Sequence, residues 1–298
     1  MAFSVPKPAY DALSTAFQKT SAGKGVKFSA SYGPSGTQAG LVASGQKADY
    51  VGFSLEPDMA KLVPTYVDPN WNSGSSKGTV SQSVVVICVR AGNPKHVTGW
   101  SDLIKPGVKI VTPDPATSGS AKWNLLAAYS HVLADGGTTA QAEQYVGAFF
   151  KNVVSKPDSG ADAMATFTSG TGDVLVSYEN EAIYARQTGK KIDYVVPDES
   201  ILIQNPGAIT KNASKPSADF LKFVESDPGQ KIFASVGFRP VNPNLSPGTV
   251  QGANDPSNPF PKVKKLTTID QLGGWDTVNS KFFDPDKGII TKIENSSS

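Results

Sequence analysis

The sequence predicts an α/β protein built as two lobes. Its 298 residues suffice for two modest cores. Strand-like apolar runs alternate with helical patterns at the spacing of βαβ units. With 39% hydrophobic and 18% charged residues, the chain has an ordinary soluble composition. No apolar run approaches the roughly 20 residues that span a bilayer. A formal charge of +2, with its lysines and arginines scattered, offers no footprint for nucleic acid.

Met1–Val5 reads as the middle of a strand, with neither a charged leader nor an apolar signal core; a removed export segment or an engineered start would account for it. A helix is predicted over about Pro8–Lys19, with Tyr10, Leu13 and Phe17 on one face. In VKFSASYG, Val26, Phe28 and Ala30 alternate with polar residues as in a half-buried strand, and Gly33-Pro34-Ser35-Gly36 stops it. TQAGLVASG then forms a short helix ended by Gly45, and ADYVGFS the next strand. Further strands are predicted at VSQSVVVICVR, GVKIVT and GDVLVSY, with helices over 121–134 and at TAQAEQYVGAFFKNV. Residues 67–77 and the proline-rich stretch 239–262 read as irregular chain. Helices are expected at TIDQLGGWDTVNSKFF, and the terminal NSSS as a frayed tail.

Cys88 is the only cysteine, so an internal disulfide and a thiolate metal site are both excluded. It reads as a small hydrophobe in a strand. His96 and His131 lack metal or triad spacing, and His131 is expected at a surface or half-buried helix position. GPSGT is no nucleophile elbow, because Thr37 stands where glycine is required. Neither phosphate-loop nor dinucleotide fingerprints occur. Asp173, Glu179 and Glu181 have no nucleophile to pair with and read as solvated faces or internal pairs. No cofactor and no metal are implied.

Two strand-to-helix junctions share a design: Gly33-Pro34-Ser35-Gly36 and Thr117-Ser118-Gly119-Ser120, both uncharged. The first N–H groups of a helix lack internal partners, and the macrodipole makes that end attractive to anions. Glycine lets an oxyanion approach the backbone. Taken singly, each junction reads equally as an N-cap. A third, KPDSGADAMATF, matches a capping box, with Ser159 accepting from the Asp162 N–H and the carboxylate reaching back to the Ser159 N–H. This would leave the amides of Gly160 and Ala161 pointing outward.

Over nearly its whole length the chain resembles the sulfate-binding proteins of bacterial ABC importers, a branch of the two-lobed periplasmic binding proteins of type II topology. The matching stretches are SYGPSGTQA, VRAGNPKHVTGWSDLIKPGVKIVTPDPATSGSAKWNLLAAY, GDVLVSYENEA, VVPDESIL, FRPVNP and FPKVKKLTTIDQLGGW. The resemblance implies mixed, mostly parallel sheets flanked by helices. It implies one lobe from 1–85 plus 204–298 and another from 86–203, with a two-segment hinge near SVVVICV and ILIQNPGAI and a ligand cleft between the lobes.

By the same resemblance the Ser35 hydroxyl is the first lobe's donor, and Ser118, Gly119 and Ser120 form the helix-start run that holds the anion. Gly160, or Ala161 after a one-residue shift, donates a backbone amide. Tyr178 stands where well-known members have a tryptophan. It offers a phenol in place of an indole N–H. Ser120 stands where some members have glycine, and Ala161 where many have arginine. Asp162 is expected to turn away from the anion.

The function so implied is capture of sulfate in the periplasm and delivery to a membrane ABC permease by a monomer, lipid-anchored in a full-length form. Alternatives are thiosulfate, molybdate or phosphate as ligand. From other classes come a hydrolase with Ser35 or Ser118 as nucleophile, which lacks a base, and a stand-alone anion sensor.

Overall fold

The chain folds as an alternation of short strands and helices, in a computed structural model that describes residues 1–297. In chain order these are β1 (Ala2–Phe3), α1 (Lys7–Phe17), β2 (Tyr32–Gly33), α2 (Ser35–Ala43), β3 (Tyr50–Gly52), α3 (Glu56–Ala60), β4 (Thr79–Arg90), α4 (Trp100–Leu103), β5 (Ile110–Val111), α5 (Gly119–Ala134), α6 (Thr139–Lys151), β6 (Val153–Ser155), α7 (Gly160–Thr168), β7 (Val174–Tyr178), α8 (Glu179–Gln187), β8 (Ile192–Val195), β9 (Glu199–Ile209), α9 (Lys215–Glu225), α10 (Asp227–Ser235), β10 (Lys265–Thr267), α11 (Gly274–Val278) and α12 (Ile289–Ser297). No described helix is long and apolar enough to cross a membrane.

Two compact units divide the chain. Unit 1 comprises Met1–Ser83, Thr117–Gly119 and Gln204–Phe260. Unit 2 comprises Val84–Ala116, Ser120–Ile203 and the chain from Pro261 onward. The chain passes between them at 83/84 and 203/204, within β4 and β9. The resemblance implies these passages at 85/86 and 203/204. It also implies that 261–298 belongs to the first lobe, whereas the chain from Pro261 packs within unit 2. There Lys265 pairs with Asp135 at 2.5 Å and Glu294 with Lys156 at 2.6 Å. Trp275 meets Trp123 edge to face at 4.9 Å between ring centroids, and Phe282 meets Tyr129 at 4.8 Å.

In unit 1 the strand order is β2-β1-β3-β9. β1 runs parallel to both β2 and β3, whereas β3 and β9 are antiparallel, with Tyr50 opposite Ile209. Ala39, Val42, Val51, Phe53, Met59 and Leu62 form a core on this sheet. α1 packs Tyr10, Leu13 and Phe17 inward, the face its spacing predicts. In unit 2, β7 lies between β4 and β5, with β6 beyond. β5 is parallel to β6 and β7, while β4 is antiparallel to β7 and β8. Both sheets are therefore mixed. In each, the parallel strands direct their C-terminal ends and the following helix starts to one edge.

Three local expectations change. VKFSASYG contributes only Tyr32 and Gly33 to a strand. Residues 26–31 run irregularly, and Phe28, 38% exposed, rests against Phe17 and Phe220. His131 is buried, stacked on Trp100 at 5.2 Å and edge-on to Tyr145 at 4.2 Å. The polar tail is helical through Ser297; Ser298 lies outside the described residues.

Candidate functional site

In unit 1 the α2 start is open. Its N-cap residue is Pro34, which has no side-chain cap to offer, and the first helical bond runs from Gln38 N–H to Pro34 O. The N–H groups of Ser35, Gly36 and Thr37 thus lie in the turn that a helix cannot satisfy internally. Ser35 is buried. Its hydroxyl donates to Asp58 Oδ2 at 2.7 Å and accepts the Ser54 N–H at 3.0 Å.

These bonds belong to a longer chain. Ser81 Oγ donates to Asn205 Oδ1, Asn205 Nδ2 donates to Ser54 O, and Lys61 Nζ closes the far end on Asp58 Oδ1 at 2.8 Å. One polar network therefore ties β4, β9, the segment after β3, α2 and α3 together beneath the start of α2. Connected networks of this kind fix geometry because each member satisfies the next.

The segment 117–119 packs on the same spot. A Cβ built on Gly119 would lie 2.6 Å from Ser54 Cβ and 2.9 Å from Leu55 Cγ, closer than real atoms approach. Glycine is required here by contact with the protein itself. A Cβ on Gly36 would lie 3.5 Å from Thr117 O, so the start of α2 and the segment 117–119 are neighbours within unit 1. Ser35, Ser118 and Gly119 are brought together.

Unit 2 holds the other expected residues at the ends of its parallel strands. The chains leaving β5 and β6 run side by side, with Thr112 N–H bonded to Ser155 O and Asp114 N–H to Pro157 O. Ser120 lies buried in the first turn of α5. One turn on, Asn124 Nδ2 donates to Val176 O at 2.8 Å, anchoring α5 on β7. At α7, Ser159 Oγ accepts the Asp162 N–H at 3.1 Å and donates to Asp162 Oδ2 at 2.5 Å. The carboxylate takes the Ser159 hydroxyl proton, not the Ser159 N–H that the capping-box pattern suggests. Gly160 and Ala161 contribute first-turn amides with no acceptor inside the helix. Asp162 is exposed, and its bond to Ser159 occupies one carboxylate oxygen. Tyr178 ends β7 opposite Val85, sits at the N-cap position of α8 and is fully buried.

Beside Tyr178 lies a group that sequence reasoning set aside. Glu181 is buried, not solvated, and accepts from Ser177 Oγ at 2.6 Å. Burial pushes its carboxyl up to about 7, opposed by the Ser177 hydroxyl and the Tyr178 backbone and reinforced by Asp162. Glu179 is fully buried too, whereas Asp173 accepts the Lys109 N–H at 2.9 Å as an internal pair. Burial pushes the Cys88 thiol up as well, which leaves it inert. Also missed were Ser54 and Asp58, although GFSLEPD repeats the pattern of a strand running into a small residue and a helix start.

Among the described residues no three His, Cys, Asp or Glu side chains gather as a metal site requires. A cavity of about 280 Å³ in unit 1 is lined by Tyr10, Phe28, Tyr32, Tyr50 and Phe220 and contains none of the expected residues. Uncharged first-turn N–H groups, joined by hydroxyls, hold species that only accept hydrogen bonds.

The family model described as bacterial extracellular solute-binding protein matches residues 1–239. A sulfate-binding protein of Synechococcus elongatus is 37% identical across 99% of this chain and 85% of its own. A thiosulfate-binding protein of Pseudomonas aeruginosa is 32% identical across 98% of this chain and 90% of its own. The solved structure of the sulfate-binding protein SubI of Mycobacterium tuberculosis superposes with a TM-score of 0.88 at 40% identity, covering 95% of this chain and 98% of that one.

Proposed function

Because the chain belongs to the bacterial extracellular solute-binding proteins, we propose that it captures sulfate outside the cytoplasm and delivers it to a membrane ABC permease. The observation that carries this reading is that the uncharged start of α2 and the uncharged segment Thr117–Gly119 lie together within unit 1. The names of its relatives and of its structural neighbour point to the same ligand. Of the residues proposed to hold the anion, Ser35 (through its backbone N–H), Ser118 and Gly119 belong to unit 1, and Ser120, Gly160 or Ala161, and Tyr178 belong to unit 2. The protein acts as a monomer in the periplasm and catalyses no reaction.

Sulfate suits such a donor set because it is fully ionised near neutral pH and accepts without donating. No counter-cation is needed. Charge-assisted hydrogen bonds contribute about 1.5–3 kcal/mol each, so a handful offset dehydration and reach the roughly −8 kcal/mol of a micromolar site. Phosphate near neutral pH retains a proton and needs an acceptor.

Thiosulfate is the second reading, favoured by the Pseudomonas relative. Calorimetric titration with sulfate, thiosulfate, molybdate and phosphate at two pH values tests both. Saturable sulfate binding is expected, and phosphate binding without sulfate binding would overturn the proposal.

A further inference from the structure

One hydroxyl proton in unit 1 has two claimants. A serine hydroxyl carries a single proton, and that of Ser35 goes to Asp58 Oδ2 at 2.7 Å. The same oxygen accepts the Ser54 N–H at 3.0 Å. What remains on Ser35 Oγ is a lone pair, which a fully ionised oxyanion only repels. Turning the proton toward an anion would exchange one charge-assisted bond for another. It would also strip a carboxylate oxygen of its donor at a residue only 4% exposed, and a buried acceptor left without a partner is costly. Lys61 does not cover that loss, because it holds the other oxygen, Oδ1, at 2.8 Å. Nor is Ser35 Oγ free to drift, since Ser54, the donor it accepts from, is itself held through its carbonyl by Asn205.

Resting on the reading of this protein as an oxyanion binder, we propose that Asp58 is a positioning residue that sets anion specificity: by holding the Ser35 proton it makes that hydroxyl an acceptor. The donors that unit 1 offers at α2 are then the backbone N–H groups of the helix start. A protonated oxyanion gains a partner that sulfate cannot use. Asp58 acts through Ser35 and needs no contact with the ligand.

The substitution Asp58→Asn keeps the shape, removes the charge and can present an amide N–H to Ser35 Oγ, which releases the hydroxyl proton for the anion. The test is a cycle of D58N, S35A and the double variant, each titrated calorimetrically with sulfate and with phosphate and checked for folding by thermal melting. D58N is expected to bind sulfate about tenfold tighter, the effect of one charge-assisted bond, and to raise the preference for sulfate over phosphate. S35A alone removes the hydroxyl but leaves the Ser35 backbone N–H in place, so it is expected to change sulfate affinity less than about twofold, and the double variant to lose the D58N gain. Unchanged or weaker sulfate binding by D58N, or a tenfold loss in S35A alone, overturns the proposal. Should D58N not fold, the S35A result decides by itself. If the unmodified protein prefers thiosulfate or molybdate, the same cycle on that anion decides. If it binds none of the four, the functional reading falls and this proposal with it.

Discussion

Gly119 lies against Ser54 so closely that a Cβ would come within 2.6 Å of the serine's own Cβ. Gly119 is therefore seated on Ser54 and Leu55, in the segment that follows β3, and the position admits no side chain. Gly119→Ala is expected to displace the α5 start and to destabilise the fold by about 1–3 kcal/mol, the usual cost of overpacking. Sulfate affinity should fall tenfold or more, because the N–H groups of that turn move together. Thermal melts and calorimetry on one preparation check both effects, and a variant with unaltered melting and affinity would show that the contact is not decisive.

Glu181 predicts a stability that falls as pH rises. Its folded pKa, about 7, stands above the ordinary 4.5, so the folded state holds the proton longer than the unfolded chain. Below about pH 4.5 neither state is ionised and there is no cost; through the window up to about 7 the cost grows, reaching roughly 3 kcal/mol. Glu181→Gln keeps an acceptor for Ser177 and should stabilise the protein at about pH 8 while leaving it unchanged at about pH 4. Urea titrations at the two pH values measure the difference.

His131 has the opposite slope. Burial between Trp100 and Tyr145 lowers its pKa from 6.5 to about 4, against the raising effects of the Ala128 carbonyl and Asp135. In that window the unfolded chain binds the proton more readily, so the stability is fully present above 6.5 and is lost as pH falls toward 4. His131→Phe retains the ring contacts and should flatten this acid limb by roughly 3 kcal/mol. Between about 4.5 and 6.5 the two residues oppose each other. The unmodified protein should therefore show a shallow profile there, rising with pH in E181Q and falling in H131F.

What local pattern encodes was legible in the sequence. The Tyr10, Leu13 and Phe17 face of α1, the helix starts at Ser35 and Gly119 and the Ser159–Asp162 cap all lie within a few residues of their causes. The network beneath Ser35 does not. Its bonds join residues 23, 124 and 151 positions apart, and no spacing rule connects Ser81, Asn205 and Ser54. The alternation of Val26, Phe28 and Ala30 misled because periodicity reports a face suited to burial, not the presence of a neighbouring strand. Glu181 misled for a related reason: a carboxylate near a helix start is ordinary on a surface, and only the fold reveals that this one is enclosed.

The interleaving of the two units along the chain has a consequence for the order of folding. Unit 1 needs residues up to Phe260 and unit 2 needs the chain beyond Pro261. Its Lys156–Glu294 and Lys265–Asp135 pairs close loops of 138 and 130 residues. A chain emerging from the ribosome can therefore complete neither unit until most of it has been made, and closure of such long loops slows the final assembly. Both units therefore stay incomplete for most of the chain's synthesis.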